Sequence, residues 1–140
     1  MSNDFSQQVD KIVINTEARM LAVARQSIQE TIEDMQTPVA KGGKMRVKTG
    51  FLRSSGLSSL NTVPAGPGRG DKNGTFNFTG EQLAATLLKM KLGDIFIWGW
   101  TANYARYRER YDGFLEAGLQ NWGKHVQNAV QFFRNKDLTR

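Results

Sequence analysis

The chain contains no cysteine, which excludes disulfide bonds and thiolate metal ligands. Its single histidine, His125, lies within a helical pattern between Lys124 and Val126. One imidazole without cysteine partners does not make a zinc site of the usual kind, so we expect a structural or surface role for His125. The sequence therefore predicts no metal ion and no other cofactor. Stability has to come from packing or from association with other chains.

Long apolar runs are missing as well. No stretch of the sequence approaches the roughly 20 apolar residues that are needed to cross a bilayer. Residues 1–30 also lack the continuous apolar segment of a secretion signal. We therefore expect a protein that is made and works in aqueous surroundings, without membrane contact.

The sequence shows no constellation typical of catalysis. The glycine-rich stretch 66–74 has neither the G-x-G-x-x-G spacing nor the Gly-Lys-Ser/Thr ending of phosphate-binding loops. Glu109, Asp112 and Glu116 are close in sequence, but three arginines lie among them. A salt-bridged helix surface explains these carboxylates more simply than a catalytic pair does. We expect the protein not to be an enzyme.

The positive charge is concentrated in one segment of the chain. Residues 1–34 hold three basic and six acidic side chains, for a net charge of −3. Residues 35–70 hold six basic side chains and no acidic one, and residues 71–140 hold ten basic and seven acidic ones. Such a basic island attracts polyanions or acidic protein surfaces over about 10 Å, the Debye length at 0.1 M salt.

The 140 residues are enough for a single domain, and we treat 1–140 as one unit that begins with a long helix over residues 1–36. Apolar residues recur in it at three- and four-residue spacing, and Thr37-Pro38 ends it. About 32 helical residues make a rod of roughly 48 Å, which is longer than one small domain covers. We expect part of its apolar stripe to lie against another subunit.

Residues 37–50 combine glycines with four basic side chains and predict a flexible basic arm. The sheet region, 51–100, is predicted to begin with a helical turn at 51–55, capped by Thr49, and a strand at 57–63. A Gly/Pro-rich loop, 64–74, follows. It leads to a strand through Phe76 and Phe78, an inserted helix at 81–91 and a strand at 95–100. That last strand is apolar on both faces, so we expect it to be central or covered.

A C-terminal helical region at 101–140, interrupted near Asp112-Gly113, completes the pattern. The predicted fold class is α+β, with a long N-terminal helix and a C-terminal helix packed on a small, mainly antiparallel β-sheet. The basic arm and the Gly/Pro-rich loop extend from this body.

Two segments resemble a known family. "TGFLRSSG" resembles a Thr-Gly-x-Leu-Arg-x-Ser signature, and "WGWTANYARYRE" followed by "GFLEAGL" resembles a Gly-x-x-x-x-Tyr-Ala-x-Tyr-x-Glu and Phe-Leu-x-x-Ala-Leu region. Both are similar to the neck or tail-completion proteins of long-tailed bacteriophages, also described as head–tail joining or minor tail proteins. The positions that match are Thr49, Gly50, Leu52, Arg53, Gly99, Tyr104, Ala105, Tyr107, Glu109, Phe114 and Leu115.

The resemblance implies a virion structural protein, synthesised in the host cytoplasm, that forms a homo-oligomeric ring such as a hexamer or dodecamer. Its implied neighbours are the phage connector, the tail terminator or the tail-tube protein. The chain departs from the family pattern in the helix at 81–91, in three extra residues between Glu109 and Gly113, and in Gly118 where an alanine is expected. These departures leave the ring size and the neighbour open.

Two sets of residues are candidate contact sites. The first is expected at subunit or partner interfaces, where amphipathic tyrosines are common, and comprises Thr49, Gly50, Leu52, Arg53, Trp100, Tyr104, Tyr107, Glu109 and Tyr111. The three tyrosines are spaced so that they share one helical face. The alternative to an interface role is that they cover the chain's own sheet. The second set comprises Lys41, Lys44, Arg46 and Lys48.

The second set has three interpretations. The basic side chains dock on an acidic neighbouring ring, contact packaged DNA non-specifically through phosphates, or remain solvated. The alternative function is accordingly a nucleic-acid-binding accessory protein that uses the basic segment 41–53.

Overall fold

The computed structural model describes residues 2–138, with side chains from residue 4 onward. It confirms the predicted α+β class, with a long N-terminal helix, a C-terminal helix and a small antiparallel sheet. The elements in chain order are α1 (Ser2–Gln36), a 3-10 turn (Val39–Lys41), α2 (Phe51–Ser54), β1 (Gly56–Leu60), α3 (Glu81–Lys89), β2 (Phe96–Trp100), α4 (Ala105–Asp112), α5 (Phe114–Gln120) and α6 (Trp122–Phe133).

Helix α1 ends at Gln36, as Thr37-Pro38 predicts, and α6 packs along it in the opposite direction. His125 lies between the carboxylates of Glu30 and Asp34, at 3.1 and 2.6 Å. Thirteen residues later the backbone N–H of Leu138 donates to the Asn15 side chain at 2.8 Å. The structural role predicted for His125 is therefore confirmed, because it ties α6 to α1.

The sheet pairs β1 with β2 in antiparallel register, from Gly56 opposite Trp100 to Leu60 opposite Phe96. Helix α3 packs against β1, and its Gln82 side chain accepts hydrogen bonds from the backbone and hydroxyl of Ser58. Within the described residues β2 has one strand neighbour only, so of the two predicted alternatives, a central or a covered strand, the structure has the covered one. All five of its residues are half-buried, because helices and loops rather than strands lie against it.

The predicted strand through Phe76 and Phe78 is absent, since this segment forms no ladder with any other part of the described chain. The N–H of Phe76 donates to the Thr49 carbonyl at 2.8 Å, and this replaces a strand pairing. The ring of Phe76 packs edge-to-face on Phe51, and that of Phe78 on Trp98. The strand predicted at 57–63 likewise ends at Leu60, because Asn61 has a positive φ of 67°.

The segment 37–50 differs from the flexible arm that its glycines and charges predict. Met45 is completely buried, and its carbonyl accepts the N–H of Val39 at 2.9 Å. At Gly43 a Cβ would lie 1.8 Å from the Thr37 carbonyl oxygen, so this close turn requires glycine. Burial of Met45 holds the segment against the body, and its cations project from an ordered loop.

The core has two apolar clusters. One contains Met45, Phe51, Leu52, Ala102 and Phe114, and the other contains Ile32, Leu83, Leu87 and Met90. Between them lies Gln36, which is 1% exposed. Its side-chain oxygen accepts the indole N–H of Trp100 at 2.8 Å, and its side-chain nitrogen donates to the Arg53 carbonyl at 2.8 Å. One amide therefore joins α1, α2 and β2.

The substitution Gln36→Ala tests this amide. We expect it to lower the free energy of unfolding by about 1–3 kcal/mol, because it leaves a buried indole N–H and a backbone carbonyl without partners. The matched substitution Gln26→Ala changes an exposed glutamine on the same helix and should lower the free energy of unfolding by at most about 0.5 kcal/mol. Urea denaturation at one protein concentration measures both, and equal losses would contradict the role of Gln36.

Candidate assembly surfaces

The motif "TGFLRSSG" forms a tight turn into α2. The N-cap of α2 is Gly50 rather than the predicted Thr49, whose hydroxyl accepts the N–H of Phe51 at 3.2 Å from one residue before the cap. Gly50 has a φ of 87°, and a Cβ there would lie 2.1 Å from the Phe76 carbonyl oxygen, so only glycine fits. Leu52 is buried in the core. Gly50 and Leu52, predicted to contact a partner, instead contact the chain's own core.

Arg53 also makes contacts within the chain. Its Nε donates to the Gln36 carbonyl at 2.7 Å, and its guanidinium lies 5.3 Å from the centre of the Phe78 ring. The Gln36 carbonyl belongs to the last turn of α1, where backbone acceptors have no partner in the helix. Arg53 therefore satisfies the end of α1, and its contact with a partner stays a prediction.

Trp100 and Glu109 likewise lie against their own chain. The Trp100 ring packs edge-to-face on Phe114, with 4.8 Å between ring centres. The Glu109 carboxylate accepts the backbone N–H groups of Leu115 and Glu116, at 2.7 and 3.1 Å. These are unpaired donors in the first turn of α5, so Glu109 stabilises that turn from the preceding helix.

Gly118, the departure from the family pattern, has a packing explanation. Helix α5 comes so close to α1 that a Cβ at Gly118 would lie 2.3 Å from Cγ of Met35 and 3.1 Å from the Thr31 carbonyl oxygen. Alanine at this position would push the two helices apart or displace Met35. Glycine at this position therefore allows α5 and α1 to pack closely.

Glu109→Ala tests the capping role of that carboxylate. We expect a loss of about 0.5–2 kcal/mol in the free energy of unfolding, because two N–H groups lose their acceptor. Glu116→Ala is the control, since it also removes a carboxylate near the start of α5 but no hydrogen bond of this cap. Thermal denaturation gives the difference, and a Glu116 effect as large as that of Glu109 would contradict the assignment.

The three tyrosines occupy different surroundings. Tyr107 and Tyr111 are 60% and 67% exposed, with ring centres 5.0 Å apart. Most of this pair faces solvent, so these two tyrosines do not cover the sheet. The Tyr104 ring packs against Phe51. Burial raises the pKa of Tyr104, and a hydrogen bond from the Leu52 backbone partly offsets this effect. Tyr104 also lines a large cleft.

We call this cleft the basic cleft, and its volume is about 1130 Å³. Four segments bring cations to it: the loop after α1, helix α2, the Gly/Pro-rich loop, and α4. The basic side chains that line it are Arg46, Lys48, Arg53, Arg69, Lys72 and Arg108. Of the cations predicted for partner contact, Arg46 and Lys48 lie in the lining. Lys41 and Lys44 are exposed on the same loop but do not line the cleft.

Some of these cations are already paired. Asp112, with a side chain 5% exposed, accepts both Nε and Nη2 of Arg108 and lies 3.7 Å from Arg46. Lys48, Arg69 and Lys72 make no salt bridge within residues 2–138. The cleft therefore presents uncompensated positive charge.

Sequence reasoning did not place Arg69 and Lys72 beside the basic loop. Gly70 is the signal for this placement, because a Cβ there would lie 2.6 Å from the Phe51 ring. The Gly/Pro-rich loop is held against the core at this glycine, and its flanking cations reach the cleft.

The first part of α1 has no support from the body. Every side chain from residue 4 to residue 14 is exposed, and we call this segment the overhang. Its large apolar side chains are Phe5, Val9, Ile12, Val13 and Ile14, and Phe5 is 71% exposed. The predicted apolar stripe through Phe5, Val9, Ile12 and Val13 is thus a surface that the described chain leaves uncovered, and Ile14 lies on the opposite face of the helix.

A second apolar surface follows the overhang along α1. A groove of about 660 Å³ lies between α1 and α6, and we call it the α1–α6 groove. Its apolar lining includes Met20, Val23, Trp122, Val126 and Val130, of which Met20 is 57% exposed. Exposed apolar surface of this extent is typical of protein interaction sites.

Within the described residues, no helix is long and apolar enough to cross a membrane. Comparisons of the chain with protein-family models, curated proteins and solved structures found no match.

Proposed function

We propose that this protein is a structural subunit that assembles with copies of itself into a ring in the neck or tail end of a long-tailed phage virion. The observation that carries the proposal is the overhang, in which five large apolar side chains have no partner in the described chain. Fully burying one such side chain contributes about 1.5–3 kcal/mol. Covering the overhang by another subunit thus supplies a strong driving force for association.

The motif residues support a repeating assembly. Three of them, Gly50, Arg53 and Glu109, have structural roles. They set the turn into α2, the end of α1 and the start of α5. Together with Gln36 they hold α1 at one angle to the body. A ring requires that each subunit present its contact surfaces at the same angle, so residues that fix α1 suit this function.

The basic cleft suits docking on an acidic face of the adjoining component. Its wall also contains Val39 and Val47, which are 54% and 49% exposed. A protein surface covers such apolar side chains, whereas phosphate contacts need only positive charge. The second candidate is the nucleic-acid-binding accessory function, which the unpaired Lys48, Arg69 and Lys72 favour.

Ile12→Glu tests the assembly. We expect the unmodified protein to form discrete multiples larger than a dimer, and the variant to associate at least about tenfold more weakly, because it places a charge in the buried stripe. Gln7→Glu adds the same charge on the opposite face of the overhang and should assemble normally. Native mass spectrometry over a concentration series gives the result. A protein that stays monomeric or stops at a dimer would contradict the proposed ring.

DNA affinity separates the two candidate functions. We expect the anisotropy of a labelled short DNA duplex to show no binding at about 200 mM salt, and only weak binding at about 50 mM. The accessory function requires tight binding that falls steeply with salt and is lost when Lys48, Arg69 and Lys72 are replaced by alanine. Replacing Lys89, Lys91 and Lys124, which lie outside the cleft lining, removes the same charge and is the control.

A further inference from the structure

The overhang and the α1–α6 groove have matching chemistry. One is a convex apolar stripe on a helix, and the other is an apolar channel between two helices. We infer that the overhang of one subunit lies in the α1–α6 groove of another copy of this chain. This inference rests on the proposed function and specifies which surfaces meet.

The occupant has to be another copy because of how the chain is built. Residues Thr16 to Ser27 of α1 form one wall of the groove, and the overhang is the direct continuation of that same helix. A helix rises 1.5 Å per residue along a nearly straight axis, so the overhang points away from its own groove. No break occurs in α1 between Ser2 and Gln36 that would let it fold back.

The size and spacing of the two surfaces agree. The overhang is about 16 Å long, and its apolar residues recur at three- and four-residue steps. Such a stripe packs its ridges into the channel between two neighbouring helices. The groove volume of about 660 Å³ accommodates side chains from that stripe, and Trp122 and Val130 on its far wall are 41% and 48% exposed.

Charges at the groove edge complement those on the overhang. Arg19 and Arg134 line the groove, and the Nε of Arg19 is buried without a hydrogen-bond partner among the described residues. A buried, unpaired guanidinium nitrogen calls for an acceptor. Asp4 and Asp10 flank the apolar stripe of the overhang, one on each side, and they supply carboxylates where a docked helix meets the groove edges.

The basic cleft is a poorer receptor for the overhang. Its lining includes six cations besides its apolar side chains, and burying the apolar stripe of the overhang among Lys48, Arg69 and Lys72 would desolvate charge without pairing it. In the α1–α6 groove, apolar side chains contact apolar side chains. When each copy both inserts an overhang and receives one from a different copy, the contact is heterologous and repeats until the assembly closes.

The absence of native cysteine allows a direct test by cross-linking. Single variants carry cysteine in the overhang, at Val9, Ile12 or Val13, and are mixed with single variants carrying cysteine at Val126 or Val130. Under mild oxidation we expect at least one mixed pair to give a high yield of hetero-disulfide, since the bond forms only where Cα atoms approach within about 7 Å. Val39→Cys, on the rim of the basic cleft and similarly exposed, is the control acceptor.

The yields decide the inference. Cross-linking to Val126→Cys or Val130→Cys at least tenfold above that to Val39→Cys supports it, and equal yields or none overturn it. Native mass spectrometry of the same proteins under reducing conditions tests the proposed function separately. If the reduced proteins assemble but no overhang–groove disulfide forms, the docking mode is wrong and the proposed function stands. If they remain monomeric, the proposed function itself is wrong.

Charge exchange gives a second test that does not depend on the distance between two chosen positions. Replacing Asp4 and Asp10 by arginine, or Arg19 and Arg134 by aspartate, should each weaken assembly at least tenfold. The chain with all four replacements should recover it. Far-UV circular dichroism establishes that each variant is folded. A fourfold variant that assembles no better than the two partial ones, although folded, would contradict the charge pairing.

Discussion

The architecture depends on one buried amide, that of Gln36. It lies where the last turn of α1, the start of β1 and the end of β2 meet, and its side-chain and backbone groups are paired with Arg53 and Trp100. A buried amide with satisfied hydrogen bonds fixes direction as well as distance, because each bond has an angular preference. The apolar clusters on either side supply most of the burial, while this amide sets how α1 leaves the body.

The residues that resemble a phage family act in this chain through shape. Gly50 permits a turn that a side chain would block, and Glu109 starts α5 from a neighbouring helix. Gly118, where the chain departs from that family pattern, brings α5 against α1 more closely than alanine would allow. None of these residues reaches outward, so mutational effects at such positions would act on geometry first. The exposed surfaces include the overhang, the α1–α6 groove, the basic cleft and the tyrosine pair Tyr107 and Tyr111.

Periodicity predicted α1 and α3, helices whose stability comes from one continuous apolar stripe, and Asp112-Gly113 predicted the break before α5. It did not predict segments whose burial depends on a single residue. Met45 is a single apolar residue between Lys44 and Arg46. The segment around Phe76 has the alternating pattern of a strand, but its backbone does not pair in a sheet. The sequence predicted only some of the cations of the basic cleft, because Arg69 reaches the cleft through a loop contact that no local pattern encodes.

The length of α1 has a mechanical consequence. Its 35 residues span about 52 Å, and α6 with the residues after it packs along them as far as Asn15, which leaves the overhang as the free end. A rotation of about one degree at Gln36 moves the tip by roughly 0.9 Å over that length. Small packing changes near Gln36 are therefore magnified at the N-terminal end of α1. In a closed assembly they would alter the number of subunits in the ring.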